Sequence, residues 1–149
     1  MKIYIGADHA GFKLKEELKK YLNKKGHTVI DIGAPFFNKG DDYPKYAAAV
    51  SRSVKRDKRS RGILICGNAE GVCIAANKIN GIRAAVGYST YAAKTSRTDD
   101  NANVLCLAGR VLSPQKAKRI VFAFLTTRFS QAKRHKRRLK QIKKIEKHG

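Results

Sequence analysis

The middle of the sequence reads Gly62-Ile63-Leu64-Ile65-Cys66-Gly67-Asn68-Ala69-Glu70-Gly71-Val72. Its apolar, β-branched start predicts a strand that is covered on both faces, as in a parallel sheet. Two glycines, Gly67 and Gly71, then predict a turn in which the backbone can approach a ligand closely. The following residues, which include Ala75 and Ala76, favour a helix. The stretch therefore predicts the strand, turn and helix of an α/β fold.

Cys66 is the candidate reactive residue of this stretch. A helix N-terminus carries a partial positive charge, which favours a thiolate and binds anions. The strand end therefore suits a reactive cysteine beside an oxyanion or phosphate site. A small core cysteine at the end of a strand would give the same local pattern, so the stretch alone leaves both interpretations open.

Strand and helix patterns alternate on both sides of this stretch. The predicted strands are short apolar runs at Lys2–Ala7, Thr28–Ile32, Arg61–Cys66, Ile82–Val86 and Val104–Leu107. The predicted helices have apolar residues at helical spacing and cover Phe12–Lys25, Tyr43–Lys55, a short segment from Gly71, Thr90–Arg97, the segment from Pro114 to about Thr127, and Lys133–Lys147. We see no linker or internal repeat, so we expect one domain over residues 1–149.

Five strands that alternate with helices predict a doubly wound, Rossmann-like parallel sheet with helices on both faces and a basic C-terminal helix. Ligands bind such sheets at the carboxyl ends of the strands, near a switch in strand order. The residues that follow strands one, three and five are therefore expected to meet. They are Asp8 and His9, the segment Cys66–Gly71, and Gly109 with Arg110.

The composition is strongly basic, with 33 Lys and Arg against 11 Asp and Glu and a formal net charge of +22. This balance favours anionic partners, whether phosphorylated metabolites, nucleic acid or an anionic membrane surface. The 3 cysteines form no CxxC pair or metal-ligand spacing, which fits a reducing cytosol. No signal peptide or transmembrane run is recognisable, so we expect a cytoplasmic protein without membrane attachment.

Several motifs together resemble the ribose-5-phosphate isomerase B family, which belongs with galactose-6-phosphate isomerase in one group of sugar-phosphate isomerases. The resemblance runs in register from Met1 to about Ile145. It rests on the pieces Gly6-Ala7-Asp8-His9-Ala10-Gly11, Asp42-Tyr43-Pro44, Gly62-Ile63-Leu64-Ile65-Cys66-Gly67, Ile74-Ala75-Ala76-Asn77-Lys78, Gly81-Ile82-Arg83-Ala84 and Asn103-Val104-Leu105.

The resemblance implies an aldose–ketose interconversion without metal or cofactor. One branch of the family uses a cysteine at the end of strand three as the base, and another uses a glutamate a few residues later. Cys66 occupies the cysteine position here, whereas Val72 stands at the glutamate position. The resemblance therefore implies Cys66 as the proton-transferring base, with backbone N–H groups of the following turn stabilising the enediolate.

The family's sugar and phosphate contacts map onto residues along the whole chain. The aspartate and histidine after strand one correspond to Asp8 and His9, and two arginines near the carboxyl end correspond to Arg134 and Arg138. Those arginines lie inside a basic run, which could also be a solvated face. The remaining expected substrate contacts are Tyr43, Gly67, Asn68, Ala69, Glu70, Gly71, Asp100 and Arg110.

Three departures from the family pattern concern the site. Asp99 stands where the family has a histidine that is thought to serve ring opening, so we place Asp99 among the catalytic candidates. Asn68 and Ala69 replace threonine and glycine, and an alanine at positive φ would be strained. Glu70 puts a carboxylate next to the proposed anion hole, where it faces solvent, pairs with a cation across the site or makes the Cys66 thiol harder to ionise.

Other functions remain open at this point. The sugar could be a pentose or a hexose phosphate, and a non-catalytic relative could keep the same scaffold. The basic tail Lys133–Lys147 could bind nucleic acid through charge alone. Against this, no nucleic-acid-reading module is visible, and the tail has no aromatic residues to stack on bases. The resemblance also implies a homodimer with active sites shared between subunits, although a tetramer is not distinguished from a dimer.

Overall fold

The computed structural model describes residues 1–148, and within them one sheet organises the chain. The strands are β1 (Lys2–Ala7), β2 (Thr28–Asp31), β3 (Arg61–Cys66), β4 (Ala84–Val86) and β5 (Val104–Ala108). The helices are α1 (Phe12–Lys24), α2 (Tyr43–Arg56), α3 (Glu70–Asn77), α4 (Thr90–Thr98), α5 (Pro114–Thr126) and α6 (Lys133–His148). These bounds follow the sequence-based prediction closely, apart from a later start of β4.

All strand pairs are parallel, in the order β2-β1-β3-β5-β4. Helices α1, α4 and α5 contribute to the buried apolar cluster on one face of the sheet, and α2 and α3 contribute to the cluster on the other. The fold class predicted from the sequence is thereby confirmed. The chain reverses its direction across the sheet between β1 and β3, which places the topological switch where these two strands end.

Strand β4 begins at Ala84 because the residue before it has other hydrogen-bond partners. The Arg83 N–H donates to Oδ1 of Asn103 at 2.8 Å, and its guanidinium donates to the carbonyl oxygens of Asp100 and Asn101. The Arg83 carbonyl still accepts the N–H of Asn103 at 3.0 Å, but its own N–H is bound to a side chain, so the predicted strand from Ile82 is shortened.

Helix α6 contacts the rest of the chain along one narrow face. His135 is its buried residue, and Glu146 accepts a 2.5 Å hydrogen bond from the N–H of Gly81. Leu139 and Ile142 line a groove beside Val54 and Ile82 of the same chain, whereas Ile145 is 70% exposed. No helix among residues 1–148 is both long and apolar enough to span a bilayer.

A buried ion pair ties α1 to the end of β2. Lys15 is fully buried, and its ammonium donates to Oδ2 of Asp31 at 2.7 Å and to the Ala34 carbonyl at 2.8 Å. Burial opposes ionisation of Asp31, but hydrogen bonds from Lys15, Lys19 and Gly33 outweigh it and lower the pKa of this carboxyl. The pair therefore stabilises the fold in its ionised form.

We expect Asp31→Ala to reduce the free energy of unfolding by about 2 kcal/mol, because it leaves the Lys15 ammonium buried without its main partner. Fully buried pairs cost about 3–5 kcal/mol to break, and partial solvation of Asp31 reduces that figure. Urea denaturation at pH 7 measures the loss. Since the folded-state pKa of Asp31 is lowered, the difference between wild type and variant should shrink as pH falls below the ordinary value of 3.8.

The matched control is Asp57→Ala, which breaks the pair of Asp57 with Lys2, a lysine that is 44% exposed where Lys15 is fully buried. That substitution should change the free energy of unfolding much less than Asp31→Ala. Equal losses for the two variants would contradict a stabilising role of the buried pair.

Candidate active site

The loops that follow β1 and β3 lie against each other at the topological switch. The residues Ala7 and Ile65 are register partners at the ends of these strands. A Cβ on Gly11 would lie 2.6 Å from the carbonyl oxygen of Ile65, and a Cβ on Gly109 would lie 2.5 Å from that of Ala10. Glycine at these two positions therefore allows the loops after β1, β3 and β5 to converge.

Cys66 ends β3 at the centre of this convergence and is 5% exposed. Its carbonyl accepts the N–H of Gly109 at 2.8 Å, which joins the ends of β3 and β5. Within residues 1–148, the N–H groups of Asn68 and Ala69 have no hydrogen-bond acceptor. The first N–H groups of α3 also lack intrahelical partners, as at any helix start. The thiol thus lies beside a turn whose amides are available to an anion.

Ala69 adopts φ 76° and ψ −30° and is fully buried. The expectation that the replacement of a family glycine by alanine brings strain is confirmed by this angle. Such a backbone costs on the order of 1–3 kcal/mol, which surrounding contacts must offset. Glu70 is exposed and has no ion-pair partner in the described part of the chain, so its carboxylate faces solvent.

Tyr43 and Arg110 flank the same turn. A Cβ on Gly71 would lie 2.6 Å from Cζ of Tyr43, and a Cβ on Gly67 would lie 2.9 Å from Nη1 of Arg110. The two glycines are therefore needed for an aromatic ring and a guanidinium to pack directly on the turn. Arg110 is exposed, so its positive charge remains available to a ligand.

Asp8 and His9 occupy the loop after β1. Asp8 is buried and accepts the N–H of Gly11 at 3.1 Å. The His9 backbone N–H and ring Nδ1 both contact Oδ1 of Asp41, at 2.8 and 2.9 Å, while Tyr46 donates to Oδ2 of Asp41 at 3.0 Å. Burial opposes ionisation of Asp41, but these bonds outweigh it and lower its pKa. An ionised Asp41 thus orients the His9 ring, leaving Nε2 for a ligand.

Four of the expected site residues lie elsewhere, around the start of β5 and of α6. Asp99 and Asp100 follow α4, and Arg134 and Arg138 are exposed on α6. Oδ1 of Asp99 accepts the Thr98 hydroxyl at 2.7 Å and lies 3.8 Å from Nε2 of His135. His135 is buried, with Nδ1 2.7 Å from Oγ of Ser130.

The expected site is therefore divided into two groups within one chain. The cysteine half comprises Asp8, His9, Tyr43, Cys66–Gly71 and Arg110, and it lies at the carboxyl edge of the sheet. The arginine half comprises Asp99, Asp100, Arg134 and Arg138, and it lies by the amino edge. The five residues of β5 span roughly 17 Å between these edges. One chain does not bring the two halves together.

Sequence reasoning missed two residues of this arrangement. Asp41 holds His9 and stands directly before the motif Asp42-Tyr43-Pro44, but its 32-residue separation from His9 hid the contact. His135 lies inside the basic run between the two predicted arginines and contacts Asp99. The burial of His135 could have been inferred only from its place on the same helical face as Leu139 and Ile142.

Comparison with known proteins gives the family. The model of the family described as Ribose/Galactose Isomerase matches residues 3–142. The chain belongs to the ribose/galactose isomerase family. The sequence-based expectation of a sugar-phosphate isomerase is confirmed at this level, and so is the resemblance from which it came.

Relatives of similar identity differ in the substrate that they are named for. A probable ribose-5-phosphate isomerase B of Mycoplasma genitalium is 42% identical over 146 residues, 97% of this chain and 95% of the relative. The D-erythrulose-4-phosphate isomerase of Pectobacterium atrosepticum is 43% identical over 129 residues, 87% of this chain and 85% of the relative. The crystal structure of the Mycoplasma genitalium enzyme with bound ribulose-5-phosphate superposes with a TM-score of 0.95, at 41% identity, covering 99% and 97% of the chains.

Proposed function

We propose that this protein interconverts ribose 5-phosphate and ribulose 5-phosphate. The observation that carries the proposal is the position of Cys66, which is buried at the end of β3 beside the unpaired N–H groups of Asn68 and Ala69. A base next to an oxyanion-binding turn is what proton transfer between neighbouring sugar carbons requires. The bound ribulose-5-phosphate of the Mycoplasma genitalium relative supports a pentose phosphate as the substrate.

The proposed reaction moves protons only. The Cys66 thiolate removes the proton from C2 of the open-chain aldose, and the electron pair forms the C1–C2 double bond of an enediolate. The free amides of the Cys66–Gly71 turn stabilise the developing oxyanion. The proton of the C2 hydroxyl moves to O1, the thiol returns its proton to C1, and the carbonyl forms at C2. No electron is gained or lost, so the step needs no redox cofactor.

The flanking residues of the cysteine half would bind and orient the substrate. His9 is held by Asp41 with Nε2 free, which suits it to a hydroxyl or ring oxygen of the sugar. The exposed guanidinium of Arg110 lies over Gly67 and would attract an anionic substrate to the turn. Tyr43 closes the other side of the turn through its contact with Gly71.

A second copy of the chain would complete the site. The cysteine half has one arginine, Arg110, while Arg134 and Arg138 lie by the opposite edge of the sheet in the same chain. We propose a homodimer in which the arginine half of one subunit meets the cysteine half of its partner. Several large apolar side chains are exposed and would be covered in such an assembly: Tyr88, Tyr91, Val111, Phe122 and Ile145.

The test of the substrate is an isomerase assay, in the presence of a chelator, over a panel of sugar phosphates. The panel contains erythrose 4-phosphate or erythrulose 4-phosphate, ribose 5-phosphate, and galactose 6-phosphate. We expect the highest kcat/KM with ribose 5-phosphate. A higher kcat/KM for the four-carbon sugar would indicate the substrate for which the Pectobacterium atrosepticum relative is named. Absence of turnover with every sugar phosphate of the panel would contradict the proposal.

Asp99 gives a separate prediction about ring opening. We expect Asp99→His to preserve or raise turnover of ribose 5-phosphate, because it restores the residue type of the family pattern. We expect Asp99→Asn to lower kcat only modestly, because ring opening can also rest on His9, water or the spontaneous reaction. Steady-state kinetics on the two variants measure both effects.

A different result would assign Asp99 an essential carboxylate role. Loss of a required acid or base typically lowers the rate by about 10²–10⁴-fold. A loss of that size in Asp99→Asn that Asp99→His fails to restore would contradict the proposed division of roles.

A further inference from the structure

A basic groove runs between α6 and the amino edge of the sheet, on the side away from Cys66. Its volume is about 770 Å³. Glu146 is the one acidic residue among the described residues that line it. Seven cationic side chains line the groove: Lys55, Lys58, Arg61, Arg83, Lys136, Lys140 and Lys143.

The groove holds more positive charge than Glu146, its one carboxylate among the described residues, offsets. Arg61 and Arg83 are partly buried, and neither forms an ion pair within the described residues. Burial lowers the pKa of Arg61, and the nearby Arg83 lowers it further. Burial, followed by the charges of Arg61 and Arg83, lowers the pKa of Arg97 to about 10. An anion in the groove would relieve this repulsion.

The cations of the groove lie on a different face of α6 from the arginine half of the site. At 100° per residue, Lys136, Lys140 and Lys143 fall within about 60° of one another on the helix. Arg134 and Arg138 each lie about 160° from Lys136. The lysines of the groove face can therefore be replaced without changing Arg134 or Arg138.

The charge extends beyond the groove along the helix. A second concave surface of about 460 Å³ is lined by Lys133, Lys136, Arg137, Lys140, Gln141 and Lys144. Helix α6 has 16 residues and is roughly 24 Å long. A row of cations of this length exceeds what one phosphate group needs, and it matches successive phosphates of a polymer. Neither lining contains an aromatic side chain on which a base could stack.

We propose that this groove and the adjoining basic face of α6 bind the phosphodiester backbone of single-stranded nucleic acid without sequence preference. This is a second activity, independent of the sugar chemistry at Cys66. Cations along a groove bind a phosphate backbone through charge alone, which gives affinity without sequence preference and a strong dependence on salt.

The test is fluorescence anisotropy of a labelled 20-nucleotide oligo(U) or oligo(dT) titrated with the full-length protein between 50 and 400 mM salt. The wild type should bind with an affinity that falls steeply as salt rises. The triple variant Lys136→Ala/Lys140→Ala/Lys143→Ala should reduce the slope of log K against log salt by about 2, because three phosphate contacts contribute about 0.7 each. Oligo(U) and oligo(dT) together distinguish RNA from a generic phosphodiester.

The matched control removes the same charge from another surface. Lys13, Lys20 and Lys24 are exposed on α1, and their triple alanine variant should keep the wild-type slope. Thermal unfolding checks that each variant folds, and the single reversal Lys140→Glu replaces the α6 triple if that variant melts early. Equal slopes for the α6 and α1 variants, absence of salt-dependent binding, or a preference for ATP over both oligonucleotides would each overturn the proposal.

Discussion

Cys66→Ala is expected to abolish turnover of ribose 5-phosphate while the fold and substrate binding remain nearly intact. The thiol is the proposed base and lies beside the available amides of the turn after β3. Loss of a general base typically lowers the rate by about 10²–10⁴-fold or more. Measurement of kcat, together with thermal unfolding and binding of the substrate by calorimetry, separates lost chemistry from lost structure.

The other two cysteines are the natural controls for this variant. The Cys73 thiol donates to the Ala84 carbonyl at 3.4 Å. Cys106 is fully buried in β5, and burial, with smaller contributions from Cys73 and Cys66, raises its thiol pKa well above its ordinary value. Alanine at Cys73 or Cys106 should lower stability through lost packing and leave kcat unchanged. A Cys66→Ala variant with near-normal kcat would place the base elsewhere.

Arg134→Ala and Arg138→Ala are expected to raise KM for the sugar phosphate strongly. Each substitution removes a charge-assisted contact worth about 1.5–3 kcal/mol, which corresponds to roughly 10- to 150-fold in affinity. Guanidinium groups suit this role because their planar donors bond phosphate oxygens in pairs. Steady-state kinetics with saturating and limiting substrate distinguish the expected change in KM from a change in kcat.

Arg137 is the control within the same basic run. It lies about 100° around α6 from Arg138 and lines the second basic surface. Arg137→Ala should therefore raise KM much less than the other two variants. Small and equal effects of all three substitutions would mean that this part of α6 is a solvated basic face with no phosphate contact.

The strand, the turn and the convergence of loops in the cysteine half were predictable from local signals in the sequence, whereas the places of Asp8, His9 and Tyr43 came from the family resemblance. The apolar run before Cys66 predicts a buried strand, and the glycines after it predict the turn that Tyr43 and Arg110 pack against. The strand-helix alternation predicts that loops after β1, β3 and β5 meet at one edge. The positive φ of Ala69 followed from the family resemblance, which places a glycine at this position.

The arginine half could not be placed in this way. Asp99 and Asp100 precede β5 and therefore lie at the amino edge of the sheet, opposite Cys66, but the packing of α6 beside them is a tertiary feature that periodicity does not encode. The contact of Asp99 with His135 joins two elements that are 36 positions apart and carries no local pattern. The contact of Asp41 with His9 is long-range in the same sense. Such contacts follow from tertiary packing and not from the local propensities of either segment.

The most direct test of the shared site is a hybrid dimer of Cys66→Ala and Arg138→Ala subunits, isolated through two different tags. In an isologous dimer, one site of the hybrid carries both substitutions and the other carries neither. We expect each parental variant to have a strongly reduced kcat/KM for ribose 5-phosphate and the hybrid to recover about half of the wild-type value. A hybrid as inactive as its parents would show that Cys66 and Arg138 do not act together across the subunits.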